Sequence, residues 1–285
     1  MKENSRFAYA KINLSLDVLK RRADGYHDVA MVLHQISLAD RVSLCLTDTP
    51  GIMLTSDSGA IPLNEKNIAY RAAALMLERF HLNAGVYIHI EKNIPVAGGL
   101  AGGSTDAAAV LCLMNDLFSL GLTQKNLMDI GLMLGADVPY CIFGRPALAE
   151  GIGEKLTPIS GLPPCKILIV NPGIEVSTKE IYEEMDSREP GGRVDNYRLI
   201  RALEQEDLSA AAVFMENVMQ PVSAEKCPRI IDILQAMEAM GAIHAMMSGS
   251  GATCFGLFDE NANLTCAAKA FPGCLVKIAM PHGGK

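Results

Sequence analysis

Along residues 7–18 the chain alternates strictly, with Ala8, Ala10, Ile12, Leu14, Leu16 and Val18 on one side and Tyr9, Lys11, Asn13, Ser15 and Asp17 on the other. A period of two predicts a strand with one apolar face. The same pattern predicts strands over residues 42–47 and 86–90, with Val86, Ile88 and Ile90 turned inward. Between them, residues 67–80 carry an alanine-rich helical pattern that begins at Asn67. After a glycine-rich stretch, residues 106–120 predict a helix ended by Gly121. It is apolar nearly all round over its first two turns, which predicts a buried central helix. A further helix over 124–134 is expected to stop at Gly135 in a left-handed turn. Beyond the breaker segment Gly161-Leu162-Pro163-Pro164 come a strand at 166–170, polar helices to about residue 220 and one helix over 223–240. A strand–loop–strand through 248–251, a last helix and a strand over 274–280 follow. This alternation predicts a mixed α+β protein of two domains, residues 1–160 and 161–285.

Composition narrows the class. The 285 residues hold 25 Lys and Arg against 32 Asp and Glu, a net charge of −7. That balance speaks against nucleic acid as a partner, since gripping a polyanion requires many cations. It also speaks against an anionic membrane surface, because the one dense basic run is Lys20-Arg21-Arg22. The longest apolar run, 107–114, falls far short of the roughly 18 residues of a membrane span, and the first residues lack the apolar stretch of a signal peptide. The eight cysteines form no C-x-x-C pair, and Cys45, Cys112 and Cys141 sit in apolar runs as small core residues. A reducing, cytoplasmic location is expected. No Cys/His cluster has metal-ligand spacing, so a tight zinc or iron site is not expected.

The chemistry concentrates at Pro95, Val96, Ala97, Gly98, Gly99, Leu100, Ala101, Gly102, Gly103, Ser104 and Thr105, between a predicted strand and a predicted helix. Four glycines in six residues cost conformational entropy, but a loop without side chains lets backbone N–H groups approach a ligand closely. With the positive end of the following helix, this suits phosphate. A Walker A loop is excluded, because the only Gly-Lys pair is the last two residues. The spacing is not that of a dinucleotide fingerprint either, and the position some 20 residues on is still helix rather than the end of a second strand. Lys11 and Asn13 lie on the polar face of the first strand, where solubility alone could account for them. Asp137, in Leu-Gly-Ala-Asp-Val-Pro, reads equally as a turn residue. The second glycine loop, Ser248-Gly-Ser-Gly-Ala-Thr-Cys254, could cradle phosphate or simply turn a hairpin. Arg22-Ala-Asp-Gly-Tyr-His27 holds a turn followed by an aromatic ring and an imidazole.

Taken together, Ala10-Lys-Ile-Asn-Leu14, Arg22 to His27, Pro95 to Asp106 and Leu134-Gly-Ala-Asp-Val-Pro139 resemble the GHMP kinase superfamily. The resemblance runs in order from about residue 8 to 258. It is closest to the branch that phosphorylates the 2-hydroxyl of a cytidine-diphosphate alcohol, cytidine-diphosphate methylerythritol, on the way to isoprenoid precursors. Homoserine or mevalonate kinase-like members are the nearest alternatives, and a dinucleotide-dependent oxidoreductase is a more distant one. The resemblance implies a two-domain fold, an N-terminal ribosomal protein S5 domain 2-like part and a C-terminal ferredoxin-like α/β sandwich, with the active site in the cleft between them. It implies ATP on the 95–105 loop, Mg²⁺ as cofactor, and a monomer or homodimer acting on a small molecule. Asp137 then matches the aspartate that takes the hydroxyl proton, and Lys11 its charge partner. Asn13, Tyr26 and His27 match substrate-holding residues, His27 reading the cytosine. Thr178 and Tyr182 match a hydroxyl and a ring farther on, and Asn67 falls near the adenine. Tyr9 stands where the family often has proline. Thr105-Asp106 replaces a serine and a small or amide residue, leaving Asp106 either to organise magnesium or to point away.

Overall fold

A computed structural model describes residues 3–96, 98–188 and 193–283. The chain divides into two compact units, each drawn from several stretches: Met1–Ala10, Ala39–Val96 and Ala101–Gly144 in the first, and Lys11–Leu38, Ala97–Leu100 and Arg145–Lys285 in the second. The long strands β1 (Glu3–Arg21) and β2 (His27–Thr47), paired with each other, contribute residues to both units.

In the first unit follow β3 (Gly51–Ser56), α1 (Ile68–Arg79), β4 (Gly85–Glu91), α2 (Gly102–Leu117), α3 (Gln124–Leu132) and α4 (Val138–Phe143). The strand order is β3-β4-β2, with β4 antiparallel to β2 from Arg41↔Glu91 to Thr47↔Gly85 and parallel to β3. A parallel pair needs a crossover, and the one from β3 to β4 carries α1. The alternation in β2 and β4 buries Val42, Leu44, Val86, Ile88 and Ile90 in one core with Ala69, Ala72, Ala73 and Met76 of α1 and residues 107–111 of α2. Helix α2 begins at Gly102, four residues before the predicted start, and ends at Leu117. Two of the four loop glycines are therefore its first turn. Gly135 does not adopt the expected left-handed conformation after α3. The glycine that matters there is Gly131, where a Cβ would meet Val138 Cγ1 of α4 at 2.7 Å.

The second unit adds β5 (Ala147–Gly151), β6 (Lys155–Pro158), β7 (Lys166–Asn171), α5 (Thr178–Asp186), α6 (Asn196–Glu204), α7 (Leu208–Val213), α8 (Gln220–Lys226), α9 (Arg229–Ala239), β8 (His244–Met247), β9 (Cys254–Phe258), α10 (Ala267–Ala270), β10 (Leu275–Ala279) and β11 (Pro281–His282). Here β2 pairs antiparallel with β5, β5 with β6, and β11 with β2. A separate antiparallel sheet has the order β10-β7-β9-β8. Its central strands β7 and β9 are buried on both faces from Ile167 to Val170 and from Cys254 to Phe258, which explains their unbroken apolar runs. The single helix expected over 223–240 is two helices. Pro228, the cap residue of α9, cannot continue α8 past Lys226.

Two further expectations change. The polar side of β1 is not a solvated face: Lys11, Asn13, Ser15 and Asp17 are all buried. Cys45, Cys112 and Cys141 are only half-buried, whereas Cys165, Cys227 and Cys254 are the core cysteines. Among the described residues no helix is long and apolar enough to cross a membrane.

Candidate active site

The glycine-rich loop is built from both ends. In the first unit, Pro95 is half-buried and Val96 exposed; Ala97 lies outside the described residues. Ala101 takes a left-handed φ of 59° immediately before α2 opens with Gly102, Gly103, Ser104 and Thr105. The Thr105 hydroxyl donates to the Tyr9 carbonyl at 2.9 Å, which ties this turn to β1. The first N–H groups of a helix have no intrahelical acceptor, so the start of α2 offers donors to an anion.

In the second unit, Leu100 O accepts from Lys11 N at 3.1 Å. Gly98 is buried, and Gly99 has φ +77° and packs backbone to backbone on the second glycine loop. A Cβ on Gly99 would stand 2.2 Å from Ser248 O. Gly99 O accepts from Ser248 Oγ at 3.0 Å. Asn217 secures the second loop, its Nδ2 donating to Met247 O (2.9 Å) and Gly249 O (2.8 Å). The two glycine motifs, far apart in sequence, are one construction.

Lys11 and Asn13 adjoin it in the same unit. Lys11 Nζ donates to Asn13 Oδ1 at 2.7 Å, and Ser248 Oγ approaches the same oxygen at 3.4 Å. A neutral amide orients the ammonium without cancelling its charge.

Residues 22–28 form a hairpin turn in which Arg22 N donates to Tyr26 O at 2.7 Å and Gly25 adopts φ +88°. The basic run is matched by acids: Arg22 pairs with Asp24 and Asp28, Lys20 with Asp28, and Arg21 with Asp186. Tyr26 is exposed. His27 is buried, with Nε2 at 2.7 Å from Asp186 Oδ1. Its ring stacks on Tyr182 at 4.5 Å between centroids and 16° between planes. Thr178 Oγ1 shares a hydrogen bond of 2.7 Å with Ser250 Oγ of the second glycine loop. Thr178, Tyr182 and Asp186 recur every four residues and so share one face of α5. That spacing was the available signal for Asp186, in a stretch where the sequence alone suggests no chemistry.

Asp137, half-buried, occupies the cap position of α4, but its side chain makes no capping hydrogen bond. Pro139 in the first turn lacks an N–H that would need one. The turn-residue reading therefore leaves this carboxylate without its usual task. Asn67 has both polar atoms committed to the start of α1, Oδ1 accepting from Ala69 N and Nδ2 donating to Pro62 O, each at 2.9 Å. Asp106 is buried, and its Oδ2 accepts from Lys92 Nζ at 2.8 Å. Among the described residues no group of three or more His, Cys, Asp or Glu is arranged to hold a metal ion.

Comparison with known proteins identifies the family. Residues 67–145 match the GHMP kinases N terminal domain and residues 199–271 the GHMP kinases C terminal domain. The 4-diphosphocytidyl-2-C-methyl-D-erythritol kinase of Clostridioides difficile (strain 630) is 51% identical over 252 residues, 88% of this chain and 85% of that protein. The protein of the same name from Alkaliphilus metalliredigens (strain QYMF) is 48% identical over 91% of this chain and 89% of its own length. A crystal structure of a 4-(cytidine 5'-diphospho)-2C-methyl-D-erythritol kinase superposes with a TM-score of 0.83 at 32% identity, covering 99% of this chain and 100% of the other. The homoserine kinase of Cytophaga hutchinsonii ATCC 33406, at 21% identity and a TM-score of 0.78 over 100% of this chain and 96% of the other, shares the fold. The chain belongs to the GHMP kinases, in the branch of the 4-diphosphocytidyl-2-C-methyl-D-erythritol kinases.

Proposed function

We propose that this ATP-dependent small-molecule kinase transfers the γ-phosphoryl group of ATP to the 2-hydroxyl of 4-diphosphocytidyl-2-C-methyl-D-erythritol, a step of isoprenoid precursor synthesis. The observation that carries this reading is the identity of about half with relatives of that name over nearly the whole chain. Residues 1–160 and 161–285 serve as its two domains, and the two matched family segments fall one in each. Its free cysteines suit a reducing cytoplasm.

Phosphoryl transfer asks little covalent chemistry of a protein and depends on positioning and charge. The amides of the 95–105 loop and the first turn of α2 hold the phosphates, and Lys11 adds a positive charge oriented by Asn13. Asp137 takes the proton as the hydroxyl oxygen bonds to phosphorus, and ADP departs with the bridging oxygen. An Asp137 carboxylate not used in capping suits that task. His27, fixed by Asp186 and stacked on Tyr182, presents an oriented imidazole to the cytosine, and Asn13, Tyr26 and Thr178 complete the acceptor side. Mg²⁺ supplies charge neutralisation on the phosphates. Among the described residues no group of three or more His, Cys, Asp or Glu forms a cage for it, and the metal would be held mainly by phosphate oxygens and water.

The test is ADP formation from ATP with the cytidine-diphosphate alcohol, against homoserine and mevalonate as acceptors. Equal turnover of either alternative would overturn the substrate assignment. Asp137→Asn is expected to lower kcat by about 10²–10⁴-fold while ATP still binds. Near-normal turnover in that variant would overturn the base assignment.

A further inference from the structure

At the base of the glycine-rich loop, the first unit buries three ionisable groups that the proposed mechanism does not use. Asp40 lies in β2, Lys92 just after β4 and Asp106 in the second turn of α2. The side chains of Asp40, Lys92 and Asp106 are 0%, 5% and 4% exposed. Lys92 Nζ donates to Oδ2 of both carboxylates, at 2.8 Å to Asp106. Asp40 Oδ1 accepts from the N–H groups of Asn93 (2.6 Å) and Ile94 (2.8 Å). Asn93 Nδ2 donates to Ala39 O at 3.1 Å, and Lys92 N to Asp57 Oδ1 at 2.9 Å. A Cβ on Gly102, the first residue of α2, would stand 3.4 Å from Lys92 Nζ. The cluster thus grips residues 92–94, which enter the loop, and α2, which leaves it.

Burying an ion costs several kcal/mol, and well-packed apolar residues would serve stability as well. What the charges add is fixed geometry. A loop of glycines has few side chains with which to anchor itself, and its amides bind an anion well only when held in aim. We propose that Lys92, Asp40 and Asp106 are positioning residues for ATP, clasping the two ends of the 95–105 loop so that its amides and the first turn of α2 stay directed at the phosphates. This rests on the assignment of that loop to ATP.

The cluster carries a built-in readout. Asp40 accepts three hydrogen bonds, whereas Asp106 accepts one and its Oδ1 has no partner. Burial, reinforced by the Asp40 charge and opposed by Lys92, pushes the Asp106 carboxyl up to about 8. Burial also opposes the Lys92 charge, but Asp106 and Asp40 outweigh it and hold the ammonium's pKa above its ordinary value. Lys92 and Asp40 are the charged groups that act on Asp106. Near pH 7 the cluster is neutral, with Asp106 holding the extra proton. At higher pH, Asp106 places an uncompensated negative charge in the helix whose first turn meets the phosphates, and ATP is held less well.

The experiment measures ATP binding, and KM for ATP and for the acceptor alcohol, from about pH 7.5 to 9.5, above the range in which a terminal phosphate titrates (second pKa about 6). In the unmodified enzyme KM for ATP is expected to rise by about tenfold with a midpoint near 8, while KM for the acceptor stays flat. Asp106→Asn, of equal size and neutral throughout, is expected to abolish that rise. Lys92→Met, with folding checked by Tm, is expected to raise KM for ATP by about tenfold at neutral pH, more than it alters KM for the acceptor. An Asp106→Asn profile that follows the unmodified enzyme overturns the inference, and it decides the matter even if Lys92→Met does not fold. Folded Lys92→Met with unchanged KM for ATP also overturns it. If the enzyme turns over ATP but loop substitutions such as Gly99→Ala leave ATP binding untouched, the loop assignment fails instead, and this inference with it.

Discussion

Gly99 illustrates how much of the site depends on the absence of a single carbon. Its φ of +77° is strained for any side chain, and a Cβ would collide with the Ser248 carbonyl at 2.2 Å. Gly25 has a similar φ of +88° but nothing within 4 Å of a Cβ, so the pair separates strain from collision. Gly25→Ala is expected to lose about 1–2 kcal/mol, the cost of the left-handed conformation alone. Gly99→Ala is expected to lose more, about 2–4 kcal/mol, and to raise KM for ATP. Chemical denaturation of both variants checks the difference; equal losses would mean the two glycine loops do not depend on their close approach. Other single residues were legible to different degrees. Pattern could nominate Lys11 and Asn13 but could not tell that the polar side of β1 is buried, because burial depends on what packs there. Lys92 and Asp40 carry no motif, and each becomes visible only through its partner, whereas Asp186 had only its four-residue spacing from Thr178 and Tyr182 as a signal.

At the scale of elements, periodicity found most strands and helices; the errors lay at their ends and in short elements it missed, β3, β5, β6 and α4. Residues 102 and 103 read as loop because glycine disfavours helix, yet they form the first turn of α2, where tertiary packing outweighs propensity. Residues 223–240 read as one helix because the apolar spacing continues across Pro228, although that proline breaks the backbone ladder. Strand β3 and the first half of β2 were not predicted; in β2 the stretch from Met31 to Ile36 is buried on both faces and so does not alternate. The start of α1 was read correctly, and the structure explains why: Asn67 caps it with bonds from Ala69 N and to Pro62 O. Asn67→Ala is expected to destabilise the protein by about 1 kcal/mol and Asn67→Ser by much less. The shift in urea midpoint at unchanged m-value measures this, and equal losses for the two would discount the cap.

For the whole molecule, the net charge of −7 speaks against long polyanions but not against small phosphate ligands, whose charge can be met locally. The Lys20–Arg22 run does not provide that local field, since Asp24, Asp28 and Asp186 match it; in the proposed mechanism helix-terminal amides and Lys11 supply it. Stability against pH is also a property of the whole. In the second unit His34 is fully buried, with Nε2 accepting from Leu162 N at 3.0 Å and Nδ1 bonded to Gln35 O at 2.6 Å. Burial pushes its pKa down to about 4 from an ordinary value of 6.5. Since the unfolded chain binds the proton more readily, this contribution is complete above about pH 6.5 and is lost as pH falls toward 4. The loss is on the order of 3 kcal/mol, and Tm measured from pH 8 to 4 is expected to fall less steeply in His34→Gln. Parallel curves for the two proteins would show that His34 is not responsible. The α+β class, most elements and the family were legible in the sequence alone, because these rest on local periodicity and on motifs contiguous in the chain. Tertiary structure alone decided that the two glycine loops form one construction, that His27 is held by Asp186, and that Lys92 joins Asp40 to Asp106. Those are contacts between residues distant in sequence, and burial, which gives buried charges and close backbone approaches their energetic weight, exists only once the chain has folded.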